Sequence, residues 1–110
     1  MKLLELLKQS KISSELIFLN FSKSFDGAEI SDITIDSRKI SKNSAFFALN
    51  GAKHNGAEFA FDAAKNGAKA VFISGDEKFS SDEFIKLFPD TILVLTPSQE
   101  FSFTLLVDLL

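Results

Sequence analysis

Cysteine, tryptophan and tyrosine are absent from this sequence of 110 residues, and His54 is its single histidine. The lack of cysteine excludes disulfides, thiol catalysis and thiolate metal sites. It is compatible with the cytoplasm, where we expect the protein to be. One histidine without carboxylates at ligand spacing gives no basis for a metal cluster or a Ser-His-Asp triad. The only abundant aromatic residue is phenylalanine, so we expect a Phe-rich core.

Strong positive charge and long apolar runs are also missing. The formal net charge is −3, so no basic field favours nucleic acid or an anionic membrane as a partner. No apolar run approaches the roughly 20 residues that cross a bilayer, and Glu5 and Lys8 interrupt the leucines near the N-terminus. We therefore expect neither membrane insertion nor a signal peptide. The length predicts one domain over residues 1–110, or one domain cut from a longer protein.

What the sequence does contain is a regular alternation of strand and helix patterns. Apolar runs of strand length occupy 45–49, 70–74 and 91–95, and helical patterns occupy 2–9, 57–66, 81–88 and 97–110. A shorter strand is expected to end at Asp36, whereas the stretch 12–25 gives no clear assignment. The alternation predicts an α/β domain with a small, mainly parallel sheet and βαβ crossovers, in two or three layers.

Capping residues mark the starts of two of these helices. Ser80 and Glu83 have capping-box spacing before the helix 81–88. Thr96 is predicted to be the N-cap of the last helix, with Pro97 at its first position and Gln99 as the reciprocal cap.

The segment "TIDSRKISKNSAFFALNG", residues 34–51, holds the best candidate for a binding site. A hydroxyl at a strand end, such as that of Ser37, can bind a phosphate oxygen, and Arg38 could add charge. Alternatively, Asp36 and Ser37 only shape a turn and Arg38 pairs with a surface acid. The following loop, "GAKHNG", offers donors from Lys53 and His54 between two glycines, yet it could equally be a plain loop.

No constellation of residues points to catalysis within the chain. The sequence has no GxxxxGK[ST] phosphate loop and no GxGxxG after a strand. The paired acids at 76–77 and 82–83 fall where loop and first-turn residues belong, so we expect them to be solvated and to complement helix dipoles. We therefore expect no catalytic residue, no metal ligand and no cofactor in this chain.

The combination of D-S-R with "FFALNG" and "NGAKAVFIS" resembles the N-terminal domain of the Mur ligases. The similarity is best over residues 30–75. It is strongest to the MurE type, the tripeptide synthetases, with the MurF type next.

The resemblance implies that this domain holds the uridine diphosphate end of a UDP-N-acetylmuramoyl-peptide. Central and C-terminal domains of the parent chain would then use ATP and Mg²⁺ to join an amino acid to that peptide through an acyl phosphate. Carried over from the family pattern, the contacts to the substrate are made by Ile35, Ser37, Ala52, Lys53 and His54.

Two departures from the family pattern concern turns. Asn55-Gly56-Ala57 replaces the usual Asp-Gly-His, and Lys42-Asn43 replaces a Pro-Gly or Ala-Gly pair, so we expect Asn43 at positive φ. Three functions remain open: a domain of a MurE-type ligase, a domain of a MurF-type ligase that adds D-Ala-D-Ala, or a non-catalytic nucleotide-sugar-binding or interaction module.

Overall fold

The apolar runs form the centre of a single sheet. The computed structural model describes residues 1–22, 25–49, 56–75 and 78–110. Within these residues, β3 (Ala45–Ala48), β4 (Ala70–Ser74) and β5 (Ile92–Thr96) are parallel neighbours and almost completely buried. A strand covered on both faces is expected to be continuously apolar. The three predicted central strands are therefore confirmed.

Two short strands complete the sheet in the part of the chain that the structure describes. β2 (Ile33–Thr34) runs parallel to β3, and β1 (Ile17–Phe18) runs antiparallel to β5. The strand order is β1-β5-β4-β3-β2. The prediction of a mainly parallel α/β sheet is thus confirmed.

Helices cover both faces of the sheet, which settles the number of layers at three. On one face α1 (Leu3–Leu7) and α4 (Gln99–Leu109) pack over side chains that include Phe47 and Phe72. On the other face α2 (Ala60–Lys65) and α3 (Ser81–Leu87), the two crossover helices, pack over Phe46, Val71 and Leu93. Successive side chains of a strand point to opposite faces of the sheet, so the neighbours Phe46 and Phe47 pack against different helices.

Most predicted boundaries differ from the structure by one or more residues, and two of the differences lie next to the candidate site. β2 ends at Thr34 rather than Asp36, because Asp36 caps a 3-10 turn over Ser37–Lys39. The predicted helix 57–66 begins as a 3-10 turn, Gly56–Phe59, and is α-helical only from Ala60.

The predicted start of the last helix was wrong. Thr96 is the final residue of β5, where it pairs with Ser74 and its carbonyl accepts the Gly75 N–H at 2.8 Å, and the first helical hydrogen bond runs instead from the Ser102 N–H to the Ser98 carbonyl at 3.0 Å. Ser98 is the N-cap instead: its side chain accepts the Phe101 N–H. Gln99 does not act as a reciprocal cap, since its buried Oε1 has no hydrogen-bond partner in the described part of the chain.

The stretch 12–25 contains the strand that the sequence did not reveal. β1 spans only two residues, and a side chain extends its pairing with β5. The Asn20 Nδ2 donates to the Thr91 carbonyl at 2.7 Å, and the Asn20 Oδ1 accepts the Leu93 N–H at 2.9 Å. Asn43 has φ 70°, as predicted.

Candidate functional site

The carboxyl ends of β2 and β3 border a depression of about 710 Å³. In open α/β sheets ligands bind outside the carboxyl ends of the strands. The lining residues follow these two strands or belong to the turn before α2: Ile35, Asp36, Ser37, Arg38, Lys39, Leu49 and Phe59. The predicted site residues Ile35 and Ser37 are thus brought together at one place.

Asp36 fixes the turn that presents Ser37. Its Oδ1 accepts the Arg38 backbone N–H at 2.9 Å and its carbonyl accepts the Lys39 N–H at 3.0 Å. The Asp36 N–H in turn donates to the Thr34 Oγ1 at 3.1 Å. Short-range Asx turns of this kind hold the backbone without help from distant residues. The turn is therefore specified by the local sequence.

The side chains of Asp36 and Arg38 form a bidentate ion pair. The Arg38 Nε lies 3.0 Å from the Asp36 Oδ1, and the Arg38 Nη2 lies 3.0 Å from the Asp36 Oδ2. These hydrogen bonds from Arg38 lower the pKa of Asp36 from 3.8 to about 2, and the same contact raises the pKa of Arg38. For these two residues the structure shows the turn and the ion pair that the alternative interpretation predicted.

Ser37 lies between these two residues but does not share their hydrogen bonds. The residue is nearly buried, it lines the depression, and its hydroxyl has no hydrogen-bond partner within the described ranges. Beside it Ile35 is 58% exposed, which is high for a large apolar residue next to a core. A hydroxyl without a protein partner next to an exposed apolar surface suits a ligand with one polar and one flat apolar part.

The predicted contacts from Ala52, Lys53 and His54 lie outside the described residues. Leu49, the described residue before that segment, lines the depression, and Gly56, the described residue after it, packs against the end of β3. An ideal Cβ on Gly56 would lie 2.6 Å from the Leu49 carbonyl oxygen and 2.6 Å from the Ala48 carbonyl carbon. Only glycine permits this close approach of residue 56 to the end of β3.

Three lining residues were not predicted from the sequence. Leu49 could have been found, because it directly follows β3 and the carboxyl ends of parallel strands share one edge. Phe59 was assigned to the interior of a helix, whereas it ends the 3-10 turn before α2. The charge of Lys39 alone did not indicate that it lines a depression, because its position there depends on the turn that Asp36 caps.

A second, smaller depression of about 350 Å³ lies at β1 and β5. Its charged lining residue is Glu15, beside the apolar side chains of Ile17, Leu95 and Pro97. An acid among apolar groups does not favour an anionic ligand, so this depression does not compete with the first one as a phosphate site.

The acidic residues of the described chain are dispersed. Asp82 and Glu83 are exposed in the first turn of α3, where they complement the helix dipole as predicted. The predicted solvated pair at 76–77 lies outside the described residues. No group of three or more His, Asp or Glu side chains that could hold a metal ion occurs among the residues described. The described helices are all too short or too polar to span a membrane.

Comparison with known proteins adds evidence independent of the geometry. The model of the Mur ligase family, catalytic domain, matches residues 29–96.

Three similar curated proteins are each named UDP-N-acetylmuramoyl-L-alanyl-D-glutamate--2,6-diaminopimelate ligase. The one from Oceanobacillus iheyensis is 38% identical over 64 residues, 58% of this chain and 13% of the relative. The one from Brucella melitensis is 50% identical over 75 residues, 64% of this chain and 15% of the relative. The one from Mesorhizobium japonicum is 49% identical over 43 residues, 39% of this chain and 9% of the relative. The chain thus spans only a small part of the length of the relatives it matches.

Proposed function

The chain belongs to the Mur ligase family, and we propose that it binds the uridine diphosphate end of a UDP-N-acetylmuramoyl-peptide. The parent activity that we propose is that of a MurE-type ligase of peptidoglycan precursor synthesis, working in the cytoplasm. The names of the relatives favour 2,6-diaminopimelate as the added amino acid.

The observation that carries this proposal is the composition of the depression at β2 and β3. Ile35 offers an exposed apolar surface for a base, and Ser37 offers a hydroxyl without a protein partner in the described chain. Lys39 adds a positive charge at the same depression. Nucleotide sites combine these features: an apolar contact for the base and donors for the phosphates. The contacts proposed for Ala52, Lys53 and His54 would come from the segment that follows Leu49.

Neither the sequence motifs nor the described residues fit ATP and Mg²⁺. The sequence has no phosphate loop, and the described residues bring no set of acids together for a metal ion. We therefore propose that ATP and Mg²⁺ are bound by central and C-terminal domains of a longer chain. No step of the ligation is assigned to residues 1–110.

Binding of UDP to the chain itself tests the proposal. We expect UDP to perturb the NMR signals of residues 35–39 and 49, with weak affinity because a small nucleotide is normally held from several sides. Ser37→Ala removes one charge-assisted hydrogen bond, worth about 1.5–3 kcal/mol, and should weaken UDP binding roughly tenfold or more. Ser14→Ala, at an exposed serine of the turn Lys11–Glu15, serves as the control and should bind like wild type.

The outcomes separate the candidate functions. Absence of specific UDP binding would refute the proposal and favour an interaction module. UDP binding that Ser37→Ala leaves unchanged would retain the function and remove Ser37 from the site. ATP hydrolysis by the chain, with UDP-muramoyl-peptide and amino acids present, should not exceed that of a heat-inactivated control. Turnover would contradict the assignment of catalysis to other domains.

A further inference from the structure

Two side-chain cations line the depression, Arg38 and Lys39, and their electrostatic environments differ. The Arg38 guanidinium is held at two points by the Asp36 carboxylate, at 3.0 Å each. Its charge is therefore compensated by a group on the same turn. A compensated guanidinium adds little to the attraction of an anion, because the neighbouring carboxylate repels that anion with similar strength.

Lys39 has no such close partner, although its charge adds to that of Arg38 in lowering the pKa of Asp36. Within residues 1–22, 25–49, 56–75 and 78–110 its ammonium makes no hydrogen bond or ion pair. Its backbone is nevertheless fixed: the Lys39 N–H donates to the Asp36 carbonyl at 3.0 Å, and the next side chain, Ile40, packs against the cluster between the sheet and α2. The stem of Lys39 thus starts from a defined position beside Ser37, with its charge available.

The charge balance of the depression depends on this lysine. The whole chain carries a formal net charge of −3. The charged residues of the described lining are one acid, Asp36, and two bases, Arg38 and Lys39. Because Asp36 and Arg38 neutralise each other, Lys39 alone makes the described lining positive. Without Lys39 the described lining would carry no net charge, on a protein whose formal net charge is −3.

Building on the proposed function, we propose that Lys39, rather than Arg38, is the residue that faces the diphosphate and gives the site its preference for a nucleoside diphosphate over a nucleoside. Arg38 is a positioning residue: together with Asp36 it holds the turn that carries Ser37. Lys39 acts as a flexible point charge with three donors, which suits a diphosphate whose oxygens are not held in one fixed plane.

The test compares two ligands that differ only in the diphosphate, UDP and uridine, by NMR titration of the chain. We define the preference as the dissociation constant of uridine divided by that of UDP. Lys39→Gln should lower this preference about three- to tenfold through weaker UDP binding, with uridine changed less than about twofold. Lys39→Arg, which keeps the positive charge, should retain most of the wild-type preference. Raising the salt concentration from about 0.05 to about 0.5 M should reduce the difference in preference between wild type and Lys39→Gln, because salt screens the charge.

Two further variants separate local contact from overall charge. Lys86→Gln removes the same charge from the last turn of α3, on a helix that runs away from the carboxyl edge of the sheet. It should leave the preference unchanged. The double variant Asp36→Asn with Arg38→Gln removes one charge of each sign and keeps an N-cap at position 36. Because this change also alters the turn that carries Ser37, the informative comparison is within the double variant: adding Lys39→Gln to it should lower the preference by a further three- to tenfold, as in wild type.

Failure of the inference is distinguishable from failure of the proposed function. If wild type binds neither ligand, both are overturned. If wild type prefers UDP and Lys39→Gln leaves that preference unchanged, in wild type or in the double variant, the role of Lys39 is refuted while UDP binding stands.

Discussion

Gly56 offers the sharpest test of how the fold supports the site. In the variant Gly56→Ala, the added Cβ would lie 2.6 Å from both the Ala48 carbonyl carbon and the Leu49 carbonyl oxygen, and 2.7 Å from the Leu49 nitrogen. All three atoms are backbone at the end of β3, so no rotamer change can relieve the overlap. Overpacking of this kind costs about 1–3 kcal/mol. Reduced freedom of the unfolded chain offsets about 0.4–1 kcal/mol of that cost.

We therefore expect Gly56→Ala to lower the free energy of unfolding by about 1–2 kcal/mol, which moves the urea midpoint by about 1 M for a chain of this size. Gly27→Ala is the matched control, because its Cβ would have no atom within 4 Å and Gly27 lacks the positive φ that disfavours other residues. It should be neutral or slightly stabilising. Equal urea midpoints for the two variants would refute the close approach of residue 56 to β3.

Two further predictions concern the carboxylates at either end of β2. Asp36 should titrate with a pKa of about 2 when its carboxyl carbon is followed by NMR, and Arg38→Gln should return that pKa towards 3.8. Because the folded-state pKa is lowered, the stabilisation is complete above the ordinary value and lost as the pH falls through about 2; an unshifted Asp36 would contradict the ion pair. At the other end of β2, the Asp32 Oδ1 accepts hydrogen bonds from the hydroxyls of Ser41 and the fully buried Ser44. Asp32→Ala should therefore cost about 1–2 kcal/mol in urea unfolding and Asp32→Asn less than half of that, whereas equal losses would exclude the hydroxyl network as the cause.

The parts of the fold that the sequence predicted are those in which a single physical pattern dominates. β3, β4 and β5 are buried on both faces, so their runs are continuously apolar and easy to recognise. β1 has two residues, one of them the exposed Ile17, and part of its pairing is made by the Asn20 side chain. No periodicity can reveal a strand of that length.

Competition between local signals explains the error at the last helix. The sequence of Thr96, Pro97 and Gln99 fits a helix start. Thr96 is nevertheless the last residue of β5, and its carbonyl accepts the Gly75 N–H. A sheet hydrogen bond made across the chain overrode a cap that looked complete in the sequence. Ser98, the next residue that can cap, took the role.

At the candidate site, too, local contacts determine one part of the structure and long-range contacts determine the other. The turn that presents Ser37 depends on contacts two or three residues apart, so a short motif was enough to find it. The opposite side of the depression, Leu49 and Phe59, reaches the turn only because β2 and β3 are parallel neighbours. The donors of the turn are thus encoded locally, whereas the apolar surface that accompanies them depends on the whole sheet.

This division has a consequence for how binding and stability are coupled. The Asp36 turn is held by its own hydrogen bonds, so destabilising the sheet should leave its geometry intact until β2 separates from β3. The apolar side has no such independence, since Leu49 follows directly from β3 and is crowded by Gly56. A substitution that shifts the end of β3 should therefore displace Leu49 before it displaces Ser37 and Lys39. In the proposed site, the apolar contribution of Leu49 and Phe59 depends on the packing of the sheet, whereas recognition of the diphosphate depends on the four residues from Asp36 to Lys39.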